Sequence, residues 1–455
     1  IGGILVGLSI GGLGLADRTG PTPPHPPTPA TASVGGSSFA GLVDGSVGPN
    51  RTVQSPIDDQ IDDQIDDIVT MWQERAERQP LDYLSRTQLG RALSRRARQH
   101  ADLDDHERAE QAHLAALELN PHHRPARVGL IAALSAQHRF AEARQLAEDV
   151  LIDEPGALDV LALAGDAAFE LGDYDAASAN YAQLATTGIG SPAELRLARL
   201  AAVQVSPVDA AAIVARTIVE TDLESLSTHD AASHWFQLAR HRFDAGDSTG
   251  ALEALDAALA IDHDHPGATE TLPFVLASVG RVDEALVHYE ALVVDGAAPD
   301  VEGLYADLLR RAGRGADAEV HEQRATEAAI GLAQRYPAER RHLVGFYLTR
   351  DPELAVDLAR ADLAERADIG GHDALAWALF HTGRFDEAAA AMAPAVAGPA
   401  IDASLRYHAA AIAAAVGDLD EARHHLRVAR ATNPDFHPTE AADAMALATR
   451  LGLEI

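Results

Sequence analysis

Histidine is the residue type with the most evident chemistry in this chain, with 21 copies. Three local clusters occur: His122-His123, His263-Asp264-His265 and His424-His425. The second falls in a turn between helical segments, where two imidazoles and a carboxylate could converge on zinc. Adjacent histidines on a helix, as at 424 and 425, point in different directions and chelate poorly without help from another element. Solvated turn histidine is the plainer reading of His263 and His265, so no metal is expected. Cysteine is absent, which removes disulfides, thiolate ligands and cysteine nucleophiles together. All 36 basic residues are arginine, so a lysine-dependent phosphate loop is unavailable. Neither His-Glu-x-x-His nor Gly-x-Ser-x-Gly occurs, and residue order alone defines no triad. The pairs Asp58-Asp59, Asp62-Asp63 and Asp66-Asp67 lack the alternating ligands, turn glycine and closing glutamate of an EF-hand. These residues predict no enzyme and no cofactor.

The remaining chemistry is recognition, and a repeat positions it. From Pro121 to Leu184 one figure is laid down twice. Ala143, Ala147 and Val150 return 34 residues later as Ala177, Tyr181 and Leu184. The small residue opening each second helix is Ala109, Ala143, Ala177, Ala211, Ala251, Ala285, Ala318, Ala355, Ala388 or Ala422, at gaps of 34, 34, 34, 40, 34, 33, 37, 33 and 34. Six of these are preceded, five residues earlier, by Gly172, Gly246, Gly280, Gly313, Gly383 or Gly417. A tight turn between antiparallel helices needs the left-handed backbone that glycine adopts freely. Four residues after each alanine the side chain is apolar or His113, except at Glu322. A fixed period of this size predicts a stacked array rather than one closed core.

The pattern resembles the tetratricopeptide repeat family, whose signature runs Trp-x2-Leu-Gly-x2-Tyr, then Ala-x3-Phe, then Pro. Leu89-Gly90, Trp235 with Leu238, and Pro121, Pro155 and Pro434 are matching pieces across residues 80 to 434. Most middle units lack the closing proline, and gaps of 40 and 37 imply inserted turns. The resemblance implies an all-α, right-handed superhelical solenoid of about ten antiparallel helix pairs, of the bacterial exported or membrane-anchored kind.

In such a solenoid the first helix of each pair lines the concave side. Projecting the register onto those helices places Phe169, Phe236, Arg240, Phe243, Phe274, Asp307, Arg310, Arg311, Tyr347, Trp377, Phe380, His381 and Tyr407 at a candidate groove. Aromatic residues and arginine are the types that anchor interfaces, although aromatics on these faces also pack between helices. Arg240, Arg310 and Arg311 could draw in a carboxylate or an acidic segment. Some family members clamp a peptide C-terminus with asparagine and lysine. With four asparagines and no lysine, this chain does not reproduce that clamp.

The formal net charge is −33, which repels phosphate backbones and argues against nucleic acid and anionic lipid as partners. Residues 1–16 carry no charge and suit the apolar region of a signal peptide or a clipped membrane anchor. Residues 17–55 form a Pro/Gly/Ser-rich linker. Ile57, Ile61, Ile65 and Ile68 set the seam of a lead-in helix over 56–79, and 435–455 carry a capping helix. The expected location is extracytoplasmic, secreted, periplasmic or anchored. The leading functional expectation is a scaffold holding a protein or peptide segment in the groove. A structural spacer acting through the convex face, or a histidine-based metal-handling accessory, are the alternatives.

Overall fold

The computed structural model describes residues 65–453 apart from 101, 187–190, 295–296 and 337–338. The leader, the linker and positions 56–64 of the lead-in helix lie outside the described residues. Those described form twenty-two α-helices and one short 3-10 turn, with no strand. Helix α1 (Ile65–Arg78) precedes ten antiparallel pairs. The pairs are α2 (Tyr83–His100) with α3 (Leu103–Leu119), α4 (Arg124–Ala136) with α5 (Phe140–Asp153), and α6 (Leu158–Glu170) with α7 (Tyr174–Ala185). Next come α8 (Ser191–Gln204) with α9 (Pro207–Glu220), α10 (Thr228–Asp244) with α11 (Ser248–Ile261), and α12 (Pro266–Ser278) with α13 (Val282–Leu292). Then follow α14 (Pro299–Arg311) with α15 (Gly315–Arg335), α16 (Arg340–Tyr347) with α17 (Pro352–Glu365), α18 (Ile369–His381) with α19 (Phe385–Val396), and α20 (Ala403–Val416) with α21 (Leu419–Thr432). The chain closes on α22 (Glu440–Arg450), whose start is held by His437 Nδ1 accepting the backbone N–H groups of Thr439 and Glu440, each at 3.2 Å.

The fold is the all-α helical-repeat solenoid that the spacing predicts. Nine of the ten predicted alanines are fully buried, where a methyl group lets two helices approach closely. The fourth pair is the exception. There Ala210 and Val214 are fully buried while Ala211 and Ala215 are half-buried. Ser206 caps α9 directly, accepting from the backbone N–H of Asp209, with Pro207 at the first helical position. No glycine turn intervenes, so the register starts one residue early. The long interval around Ala318 reflects α15, at 21 residues, followed by α16, at only 8. Glu322, the misfit on α15, is held by the Arg350 guanidinium and lies 3.4 Å from Arg310, and both cations hold its carboxyl below the usual range.

All six predicted turn glycines adopt φ between +74° and +89°. In the second pair His138 takes the same place at φ +57°. Among the described residues it is the one non-glycine with positive φ. Elsewhere glycine serves packing. A Cβ on Gly90 or on Gly129 would meet the fully buried His113 ring at 2.6 or 2.3 Å, so the imidazole fills the room of two absent side chains. Gly129→Ala is expected to cost about 1–3 kcal/mol through overpacking. Its midpoint in urea should fall, whereas Gly156→Ala, with nothing within 4 Å, should leave the midpoint unchanged or raise it.

The superhelix is wound tightly enough for its second turn to rest on its first. Arg335 pairs with Asp104 at 2.5 Å, and the Tyr336 hydroxyl donates to the same carboxylate. His138 meets Glu339 at 3.2 Å and stacks near His342. The Ile369 N–H donates to the Tyr174 hydroxyl at 3.4 Å, and Asn433 Nδ2 donates to the Phe243 carbonyl at 2.7 Å. Phe274 lies edge-on to His437. Most of these contacts join the turn inside one pair to the connection five or six pairs later, while Phe274 and His342 reach the seam from within α12 and α16. The result is a seam that opens between the third and fifth pairs.

Candidate functional site

Between the seam contacts of the third and fifth pairs lies a cavity of about 320 Å³. The first superhelical turn supplies the inward ends of its first helices. Phe169 comes from α6, Arg199 from α8, Phe236, Arg240, Phe243 and Asp244 from α10, and Phe274 from α12. Opposite stand Arg341 of α16, Asp368 and Asp373 at the start of α18, Asp402 and Ser404 at the start of α20, and Asn433 with Phe436 after α21. Aspartate recurs on this side because helix starts need a side-chain acceptor. Asp368 accepts from Gly371 N–H and Asp402 from Leu405 N–H, both at 2.8 Å.

Most of the charge is neutralised within the wall. The Arg199 guanidinium pairs with Glu170 and lies 3.8 Å over the Phe169 ring. Arg341 grips Asp368 through two bonds of 2.7 and 2.8 Å and Asp362 through one of 2.8 Å. Asp373 contacts His408 Nδ1 at 2.8 Å, and Glu440 contacts the same ring's Nε2 at 3.1 Å. Burial alone would lower the pKa of His408, but Asp373 and Glu440 raise it. Two groups stand apart. Arg240 and Asp244, one helical turn apart on α10, make no ion pair or hydrogen bond among the described residues. Burial pushes Asp244 up to about 7, with Asp402 adding and Arg240 opposing. Burial beside Arg240 drops His241 to about 3.

Of the residues projected onto a groove, Phe169, Phe236, Arg240, Phe243 and Phe274 converge on this cavity. Trp377, Phe380, His381 and Tyr407 form a separate aromatic cluster on α18 and α20. In it Trp377 stacks on Phe380 at 4.7 Å and on the fully buried His408 at 4.1 Å. Asp307 and Arg310 pair at 2.7 Å beside Glu322 and Arg350. Arg311 is exposed, and Tyr347 packs on Phe346. His263 and His265 do not converge. His263 is 93% exposed in its side chain, while His265 is buried, accepts from Ala268 N–H and stacks on His229. Among the described residues no group of three His, Asp or Glu side chains could hold a metal ion.

Arg199, Asp244, Arg341 and Asp402 were missed by the projection. Asp244 follows Arg240 by one helical turn and was within reach of the same periodicity. Arg341 and Asp402 join the site only through the superhelical pitch, which leaves no local signal.

No protein-family model matches the chain, and no curated protein matches its sequence. Solved structures similar to it include yeast Tom70, at 14% identity over 87% of this chain and 94% of that one, with a TM-score of 0.37. A tetratricopeptide repeat protein from Parabacteroides merdae is similar at 14% identity over 53% of this chain and 92% of that one, with a TM-score of 0.33. The human IFIT1 dimer with m7Gppp-AAAA is similar at 14% identity over 69% and 71%, with a TM-score of 0.45.

Proposed function

We propose that this protein is a non-catalytic interaction scaffold that holds a segment of a partner protein on the inner wall of its second superhelical turn. The observation that carries this is the division made by the seam. Phe236, Phe243 and Phe274 are buried beneath it, while Arg310 and Arg311 are exposed, and Tyr347, Phe380 and His381 are half-buried. Arg311 makes no ion pair among the described residues, so a cation stands ready on the same superhelical turn as half-buried aromatic side chains, the residue types that anchor interfaces. An acidic or carboxylate-bearing segment complements it. The uncharged segment 1–16 and the proline-rich linker after it support export or tethering of the scaffold.

Replacing Arg310 and Arg311 by glutamate is expected to weaken capture of the partner at least tenfold in a pull-down, with the helical circular dichroism unchanged. An unaltered partner set would move the binding surface to the convex face.

A further inference from the structure

The cavity wall carries several polar groups that the fold leaves unmatched. His241 Nδ1, Thr271 Oγ1 and Ser404 Oγ are buried without a hydrogen-bond partner among the described residues. Arg240 and Asp244 carry opposite charges on the same wall, and neither is ion-paired. Buried polar groups in native proteins are otherwise almost always matched by protein, water or ligand. Two opposite charges without ion-pair partners on one cavity wall, against aromatic rings, are the composition of a small-molecule site. The volume, about 320 Å³, suits a ligand no larger than a dipeptide.

The arrangement of charge narrows the ligand. Side chains four residues apart on a helix have Cβ atoms roughly 5–6 Å apart. Arg240 and Asp244 therefore present a cation and an anion side by side, each felt electrostatically by the other but joined by no ion pair among the described residues. An α-amino acid carries the matching anion and cation on adjacent carbon positions. Its side chain would then lie toward Phe243 and Phe274, whose rings meet edge to face at 5.8 Å. We infer that the cavity binds a free α-amino acid with an aromatic or branched apolar side chain, its carboxylate on Arg240 and its ammonium on Asp244. Partner capture through Arg310 and Arg311 does not depend on this site, so either reading can fail while the other stands.

Calorimetry of the full chain with L-phenylalanine tests it. Binding is expected, with 3-phenylpropionate and phenethylamine each at least tenfold weaker because each lacks one of the two charges. Arg240→Gln and Asp244→Asn should each weaken L-phenylalanine at least tenfold while leaving the thermal midpoint of the helical signal in place. If Arg240→Gln fails to fold, Asp244→Asn and the ligand series carry the test without it. Absence of heat at millimolar amino acid, or binding that Asp244→Asn does not weaken, overturns the proposal. Equal affinity for 3-phenylpropionate and L-phenylalanine overturns it too, since the ammonium would then play no part.

Discussion

Gly246→Ala is expected to lower stability by about 2–5 kcal/mol, and the loss beyond the first 1–2 measures the seam. Two costs are separable here. The φ of Gly246 is +83°, where an L side chain costs about 1–2 kcal/mol. A Cβ at this position would also stand 2.5 Å from the Thr432 carbonyl oxygen of the second superhelical turn. That oxygen is backbone and cannot rotate away, so the contact adds an overpacking cost of about 1–3 kcal/mol. Gly313 is the control: its φ is +78° and nothing lies within 4 Å of its added Cβ. Gly313→Ala should lose only the backbone part. A repeat array need not unfold in one step, so the readout is the first urea transition together with protease cleavage in the Asn433 connection. Equal losses in the two variants would mean that the turns do not press on one another at this glycine.

The same comparison shows which parts of the molecule a linear pattern can disclose. Contact between the two helices of a pair is local and repeats every 34 residues, so it appears in the sequence as Ala109, Ala143 and Ala177 and in the structure as zero exposure. Turn geometry is local too, and Gly172 to Gly417 met the φ that their position predicts. The failure at Ala211 has an equally local cause, because Ser206 and Pro207 start α9 without a glycine turn. Distance defeats the pattern at the cavity. Phe236, Arg240, Phe243 and Phe274 could be assigned to inward faces, but what they face depends on the pitch of the superhelix. Pitch accumulates from a small rotation at each of about six pairs, and no single residue encodes the sum. For that reason Arg341, Asp402 and Asn433 join the first turn with nothing nearby in the chain to announce them. His263 and His265 illustrate the opposite error. Two residues apart in a turn, they differ completely in burial, because only His265 caps the following helix.

Arg341→Leu is expected to cost about 3–5 kcal/mol, the usual consequence of removing one member of a buried charge cluster. The guanidinium is 7% exposed and bridges Asp362, on α17, to Asp368, at the start of α18. Burial opposes its charge, but Asp368 and Asp362 together raise its pKa. Leucine of similar bulk would fill the space yet leave the Asp368 carboxylate facing a low-dielectric wall with only its helix-capping bond from Gly371. Asp362 would fare better, since Arg366 still holds it at 2.6 Å. Most of the cost should therefore arise from Asp368, which makes a double variant informative. Arg341→Leu with Asp368→Ser removes the stranded charge and keeps a side-chain cap for α18. It should recover part of the loss, because replacing both partners is far cheaper than orphaning one. The connection that Asp368 anchors also presses on Gly172, whose added Cβ would meet the Ala367 carbonyl oxygen at 2.8 Å. Loosening it should expose that connection to protease before the helices melt. A loss below about 1 kcal/mol, or a double variant less stable than the single one, would mean that this cluster is solvated rather than buried and contributes little to holding the two turns together.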